Sequence, residues 1–379
     1  MSEKSVLFDL SAVQENSSGK RHGGAKYGEI VFVRMLERGL RPACFYRSSL
    51  WINPSILETV NKNGLPLYDL DSSSLDEIII QSKCDILFSC LPTGGILDIK
   101  DCKVKVILHG LRTIEEPLDP FFWKYKNNSL KQKAVFFLDS VLPTRLKTKE
   151  YLKYLTNPQI EVAVVSNHTA NAIRVYFPEY GAHRLPVFYS PSTSSKTPCS
   201  KRVINEKFFL LVSGNRWEKN CLRAIMALDR LFKDGFLKDF KVKVTGAKDA
   251  CIYRYKIQNP DRFDFLGYVS ESELEQLYHD AFVLLYPSLN EGFGYPPLEA
   301  MRYGVPVIAS PFSSIPEVCQ GAAIYFNPFS IEEIMNRALL ISSNEELYDE
   351  CMNRSLSQYE TITDRQRADL DKLIDWIAE

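Results

Sequence analysis

Glu291 and Glu299 stand eight positions apart in LNEGFGYPPLEAM (289–301), with two glycines and a proline pair between them. Two carboxylates so spaced invite a general acid/base reading, but their surroundings favour another. AFVLLYPSLNEGFGYPPLEAM reads as strand, short loop and helix, with Pro296 and Pro297 in the first helical turn, where a missing N–H costs little. Gly292 and Gly294 let the backbone turn sharply and approach a ligand closely. Their amides and the helix N-terminus favour an anion. Two carboxylates beside an anion site are best explained as hydroxyl acceptors, for a ligand carrying both phosphate and polyol. The plainer alternative has Glu299 complementing the helix dipole from the first turn, worth about 0.3–1 kcal/mol, with Glu291 a solvated loop carboxylate.

Cations stand near in the expected fold. KFFLLVSG (207–214) reads as a strand, and SGNRWEKN places Arg216 and Lys219 just past its carboxyl end. In an open α/β sheet the loops at that end line one crevice, the one the 291 loop would also reach. A cation about 4 Å from a phosphate oxygen is worth roughly 4 kcal/mol at an effective dielectric of 20. That exceeds the dipole term, so the cations would carry leaving-group stabilisation; the alternative is solvated loop charge. His109 ends the run KVKVILH, where a histidine taken by itself is more often structural than functional. Two D-L-D triplets, 69–71 and 369–371, have the form of a metal-binding D-x-D. Asp71 reads as a turn or helix cap and Asp369 as part of the terminal helix, so no metal site is expected.

The elements that must position these residues alternate along the chain. SVLFDL (5–10), PACFY (42–46), CDILFS (84–89), KVKVILH (103–109) and EVAVVS (161–166) are short, nearly continuous apolar runs that suit a parallel sheet covered on both faces. Residues 24–38 have helical spacing, and SNHTANAIRVYF begins with a Ser166 or Asn167 cap. SPSTSSKTPCSKR (190–202) is aperiodic and marks a linker. Alternation then restarts with strands over 207–214, 239–246, 262–267, 281–288, 305–310 and 321–326, and helices over 271–281 and 330–342. The expectation is α/β, two doubly wound Rossmann-like domains facing a central cleft. The boundaries are 1–190, a linker 191–202, 203–360, and a terminal helix 361–379 that crosses back to the first domain.

Whole-chain properties narrow the partners. At 379 residues, 45% hydrophobic and 25% charged, the chain suits two ordinary domains, and a net charge of −1 offers no global field for nucleic acid. The nine cysteines are scattered without a C-x-x-C pair, which points to reduced, buried thiols in a cytoplasmic protein. MSEKSVLFDL has too short an apolar run for a signal peptide, and no apolar run approaches the roughly 18 residues of a membrane span. Residues 121–155 interleave aromatics with eight Lys/Arg against two acids. This reads either as a solvated face beside a core or as a surface for anionic lipid, at about 1 kcal/mol per basic residue. The second reading places the protein peripherally at the inner membrane face.

These residues carry a resemblance. The block 265–328, with E-x7-E inside GFGYPPLEAM and followed by GVPVIAS, resembles the C-terminal domain of retaining GT-B glycosyltransferases of family 4. LVSGNRWEKN is similar to that family's strand followed by Arg and Lys. GGAKYGEIVFVRMLERG (23–39) and VKVILHG (104–110) resemble its N-terminal glycine loop and its strand ending in an active-site histidine. The resemblance covers most of the second domain and only islands of the first.

It implies that Glu299 accepts hydrogen bonds from ribose hydroxyls and Glu291 from a donor-sugar hydroxyl, with the amides of Gly292, Phe293 and Gly294 on sugar and phosphate. Arg216 and Lys219 would bind the diphosphate, Gly24 would offer it an amide, and the base would lie near Gly246, Tyr268 and Val269. His109 would contact the transferred sugar, and the departing phosphate oxygen would take the acceptor's proton. The compact Arg–Lys spacing departs from the family pattern, and Lys20, Arg21 and Lys26 add basic residues to the N-terminal loop.

The implied activity is retaining transfer of a hexose, mannose before others, from a GDP- or UDP-linked sugar to a saccharide or lipid-linked glycan acceptor. It needs no further cofactor or metal. A GT-B nucleotide-sugar epimerase and a degenerate sugar-nucleotide or glycan-binding protein are the alternatives.

Overall fold

Six strands, β1 (Val6–Asp9), β2 (Ala43–Tyr46), β3 (Leu67–Asp69), β4 (Ile86–Ser89), β5 (Lys103–Leu108) and β6 (Ile160–Val164), form a sheet in the order β3-β2-β1-β4-β5-β6. Six more, β7 (Lys207–Leu211), β8 (Phe240–Thr245), β9 (Phe263–Gly267), β10 (Val283–Tyr286), β11 (Val307–Ala309) and β12 (Ala323–Tyr325), form a second in the order β12-β11-β10-β7-β8-β9. Every pairing in both sheets is parallel. This computed structural model describes residues 4–14, 23–92, 94–125, 144–180, 185–192 and 206–379.

The two orders are one topology used twice, because each sheet's first strand lies between its second and fourth. With all strands parallel, the order in which they are added therefore reverses between β1 and β4, and again between β7 and β10. The loops leaving those strand ends open a crevice at each reversal. The central strands β1, β4 and β10 are buried along their whole length, as their unbroken apolar runs require.

The chain divides into two compact units. Residues Met1–Leu111, Arg145–Ser195 and Thr363–Glu379 form the first, and Arg112–Thr144 with Lys196–Ile362 the second. This differs from a contiguous 1–190 domain, because the described residues 112–125 group with the second unit. There Asp119 makes a bidentate pair with Arg223 at 2.5 and 2.8 Å, and the Phe121 ring lies 3.8 Å from that guanidinium. The Tyr125 hydroxyl accepts from the Leu222 amide at 2.9 Å. The terminal helix is longer than its amphipathic end suggested, running from Glu345 to Ala378, and its part from Thr363 belongs to the first unit. It is fastened there by Arg34–Asp371 at 2.7 Å, Arg38–Asp375 at 2.8 Å, and the buried Lys105 ammonium on the Trp376 carbonyl at 2.5 Å.

Helix starts follow local chemistry. Ser166 caps Asn167–Tyr176, accepting from the Thr169 amide at 3.1 Å. Ser270 and Glu273 form a reciprocal capping box on Glu271–Asp280. In the second unit, Leu222, Ile225, Leu228 and Leu231 of helix Cys221–Lys233 enter a core shared with Phe209, Phe240 and Phe282.

The half-buried β3 was not anticipated, since three residues at a sheet edge are too few for a periodic signal. Asp71 stands in a turn, the first of its two expected places; the cap of the following helix is Ser74, with Glu77, while Asp71 accepts from the Ser49 amide at 2.8 Å and pairs with Arg47 at 3.0 Å. Among the described cysteines seven are buried and Cys251 is exposed, all free. Residues 193–202 of the linker and the adjoining 203–205, the loop residues Lys20 and Arg21, and 126–143 of the basic stretch lie outside the described residues.

Candidate functional site

The loop after β7 is held in an uncommon conformation. Ser213 (φ 57°) and Asn220 (φ 55°) are left-handed without being glycine, which persists only where surrounding bonds over-determine it. Those bonds are present. The Ser213 amide donates to Thr245 Oγ1 at 3.3 Å and the Gly214 amide to the Thr245 carbonyl at 2.7 Å. Asn220 Nδ2 donates to the carbonyls of Pro287 (3.2 Å) and Pro328 (2.8 Å). Between these anchors a single turn, Trp217–Lys219, presents Arg216, Glu218 and Lys219 at the strand's carboxyl end.

The loop after β10 is tied to the first. The Leu289 amide donates to the Glu218 carbonyl at 2.8 Å, and Ser310 Oγ donates to the Ser288 carbonyl. The Glu291 amide donates to Ser313 Oγ at 2.7 Å, and Ser314 Oγ contacts the carbonyls of Glu291 (3.0 Å) and Phe293 (2.8 Å). Gly294 caps helix Tyr295–Met301 at φ 106°, a left-handed value that a side chain would strain, and Pro296 and Pro297 lie in the first turn. Glu299 is the helix's fifth residue, past the first turn. The dipole-complement reading therefore fails, and its carboxylate lies against the buried Tyr278 hydroxyl.

Glu291 is not a solvated loop acid. It is 9% exposed, and its Oε1 receives Lys219 Nζ, Tyr286 OH and Ser288 Oγ, each at 2.5 Å. Burial alone would raise its pKa. The adjacent Lys219 ammonium, with these hydrogen bonds, instead holds the carboxyl below its ordinary range. Lys219 is itself buried and also donates to Tyr286 OH at 2.8 Å. Two residues expected to touch different parts of a ligand thus hold one another. Removing either would leave an uncompensated buried charge, at about 3–5 kcal/mol.

The sequence reading missed Glu218. This buried acid pairs with Arg216 at 2.5 Å and with Arg112 at 3.4 Å. Burial raises its pKa, but Arg216 and then Arg112 outweigh it, and the net shift is downward. The signal was present as an acid between two cations in RWEK. Arg112, far off in sequence, gave none. Each cation already shares a carboxylate, so the roughly 4 kcal/mol of a bare cation beside phosphate is an upper figure. An incoming anion competes with Glu218 and Glu291.

The remaining candidates fall into two groups. In the second unit, a Cβ built on Gly246 (φ 83°) would stand 2.8 Å from Asn215 Oδ1 and 3.0 Å from Ser213 Cα, so Gly246 lies directly against the Arg216 loop. The Gly246 amide donates to the Gly267 carbonyl at 2.5 Å. Next to Gly267 come Tyr268, 79% exposed, and the half-buried Val269. Gly292 and Phe293 complete the 291 loop.

In the first unit, Gly24 and His109 converge on Cys90. His109 Nε2 lies 2.9 Å from the Cys90 carbonyl, which can only accept, so Nε2 carries the proton. The Gly24 carbonyl accepts from Cys90 Sγ at 3.9 Å, and a Cβ on Gly24 would meet Leu91 Cδ1 at 2.5 Å. No group of three or more His, Cys, Asp or Glu side chains suited to a metal occurs among the described residues. The carboxylates of both D-L-D triplets hold amides, arginines and a lysine.

Residues 200–357 match the family model described as glycosyl transferases group 1. The O-antigen chain mannosyltransferase RfbU of Salmonella typhimurium is 28% identical over 194 residues, 49% of this chain and 53% of that protein. The serotype-specific mannosyltransferase WbdA of Escherichia coli is 38% identical over 97 residues, 25% of this chain and 12% of WbdA. The matched part thus spans about half of one relative and a small fraction of the other. In three dimensions the Anabaena HepE protein, solved with UDP-glucose, superposes with a TM-score of 0.62 at 15% identity, covering 98% of this chain and 99% of that one.

Proposed function

We propose that this chain, whose residues 200–357 belong to the glycosyl transferases group 1 family, transfers a hexose from a nucleoside diphosphate sugar to a glycan acceptor, with retention at the anomeric carbon. Its two doubly wound parallel sheets are the GT-B type of architecture. One observation carries the reading. At the β7/β10 reversal, Arg216, Lys219 and Glu291 meet beside the glycine-capped N-terminus of helix Tyr295–Met301. A diphosphate needs cations and amides, and a sugar needs a fixed hydroxyl acceptor.

In this reading Lys219 and Arg216 take the diphosphate charge that grows as the glycosidic bond breaks. The amides around Gly292–Gly294 add dipoles already oriented toward that charge. Glu291 holds a sugar hydroxyl and Glu299 the ribose, with the base beside Gly246, Tyr268 and Val269. His109 keeps its proton on Nε2 and turns Nδ1 to the transferred sugar, with Gly24 offering an amide to the diphosphate. Rate comes from orientation and charge stabilisation rather than from a protein base.

The mannosyltransferase names of RfbU and WbdA support mannose, with GDP as the first carrier and UDP as the second. The acceptor is a saccharide or lipid-linked glycan. Contact with an anionic membrane through 121–155 would rest on its basic residues, because Phe121, Phe122 and Tyr125 are spent on packing inside the second unit.

A thermal-shift screen of GDP, UDP and dTDP sugars identifies the donor, and NMR of the product reads its anomeric configuration. Glu291→Ala should chiefly lower turnover and Glu299→Ala chiefly weaken donor binding, with activity unchanged by EDTA. Wild-type kinetics in both mutants would defeat the reading, and an inverted product or EDTA sensitivity would remove its mechanism.

A further inference from the structure

We infer that Tyr286 is a positioning residue that sets donor specificity, by helping to saturate one oxygen of Glu291 so that only the other can read a sugar hydroxyl. This rests on the donor-site reading above. Tyr286 ends β10 with its side chain 1% exposed, yet its hydroxyl reaches the loop chemistry. It donates to Glu291 Oε1 at 2.5 Å and accepts from Lys219 Nζ at 2.8 Å, while Lys219 donates to the same Oε1 at 2.5 Å. The three side chains close a hydrogen-bonded triangle, and Ser288 Oγ adds a further contact to Oε1 at 2.5 Å.

Counting donors decides what remains. A carboxylate oxygen offers about two lone-pair sites, and Oε1 already faces three donors. Among the described residues no side chain donates to Oε2, so a ligand hydroxyl must use that oxygen. Lys219 spends two of its three protons inside the triangle and keeps one for an anion. The Tyr286 hydroxyl stays a donor because burial, followed by the Glu291 charge, pushes its pKa well above the usual phenol value. The groups facing Glu291 are Lys219, Tyr286, Ser288, and at longer range Arg216 and Tyr278. Sequence reading passed over Tyr286 because it lies in the apolar run FVLLYPS, where an aromatic reads as core.

Tyr286→Phe keeps the ring and removes only the hydroxyl. Oε1 then keeps two donors, Lys219 and Ser288, instead of three, so the Glu291 carboxylate is less firmly oriented and can swing to present either oxygen, and Lys219 loses one tether. The test uses GDP-mannose and UDP-glucose with their monodeoxy analogues. In the wild type one analogue should be rejected far more strongly than the others. In Tyr286→Phe that discrimination in kcat/KM should fall about tenfold, the scale of one charged hydrogen bond, with nucleoside diphosphate affinity retained. The acid limb of the kcat profile should move to higher pH, since Glu291 has lost a donor to its charged form.

Ser288→Ala acts on the same oxygen and should shift both readouts the same way by less. That keeps the test decisive if Tyr286→Phe folds poorly. Unchanged discrimination and pH profile in both variants, with Glu291→Ala inactive, would overturn this inference alone. A silent Glu291→Ala would overturn the donor reading with it.

Discussion

The two sheets reverse their winding order at the same place in the same strand order, yet they put opposite chemistry there. At the β1/β4 reversal a buried acid, Asp9, accepts from Ser11 Oγ at 2.5 Å, Ser89 Oγ at 2.6 Å and the Ala12 amide at 3.2 Å. At the β7/β10 reversal the buried Glu291 faces an ammonium as well as hydroxyls. Burial raises the Asp9 pKa further than its neutral donors lower it, whereas Lys219 pulls Glu291 below its ordinary value. Topology supplies the crevice, and a single cation decides whether the acid in it has its pKa held below or pushed above the ordinary value. Asp9 organises a turn; Glu291 stands in a cluster of charges with Lys219 and Arg216.

The most severe break in this contrast is Lys219→Met, which gives Glu291 the neutral surroundings of Asp9 without its extra donors. Urea denaturation should show a loss of about 3–5 kcal/mol, and transfer should become undetectable. Stability within 1 kcal/mol of wild type, on the same scale, would show the pair to be unimportant for folding. Gly294→Ala should act more mildly. A built Cβ meets nothing within 4 Å, so only the left-handed backbone is strained, at about 1–2 kcal/mol. Turnover should fall more than stability if the Gly292–Gly294 amides face the reacting charge.

The smallest effect is in pH dependence, where the two acids carry opposite signs. Glu291 has a lowered folded pKa, so its stabilisation is complete above the ordinary value of 4.5 and is lost as pH falls through the folded value. Asp9 has a raised folded pKa, so its contribution is complete below 3.8 and is lost as pH rises through the folded value. Urea midpoints measured across the acid range should therefore lose part of their acid limb in Glu291→Gln. In Asp9→Asn they should lose a component of the reverse slope. Identical profiles in both variants would erase the distinction.

Much of this architecture was legible because parallel strands buried on both faces must be unbroken apolar runs. β1, β4, β7 and β10 announce themselves in SVLFDL, CDILFS, KFFLL and AFVLLY. The cap at Ser166 was legible as a serine standing directly before a helical run. The carboxylates and cations at strand ends were readable for the same local reason. β3 was not, because a three-residue edge strand is selected by its neighbour Cys44–Tyr46 rather than by its own pattern.

Sequence by itself thus determined which residues would stand at strand ends, and that two such sheets would form, since hydrophobic period and turn chemistry act over a few residues. Only the tertiary structure decided who holds whom. Glu218 bridges Arg216 and Arg112 across 106 positions, Lys219 grips Glu291 across 72, and a core-like tyrosine five residues before that glutamate closes the triangle. The Lys219–Glu291–Tyr286 contacts follow from β7 and β10 lying side by side, whereas Arg112 reaches Glu218 from outside that sheet. A charge buried there is tolerable only when a partner is delivered to it.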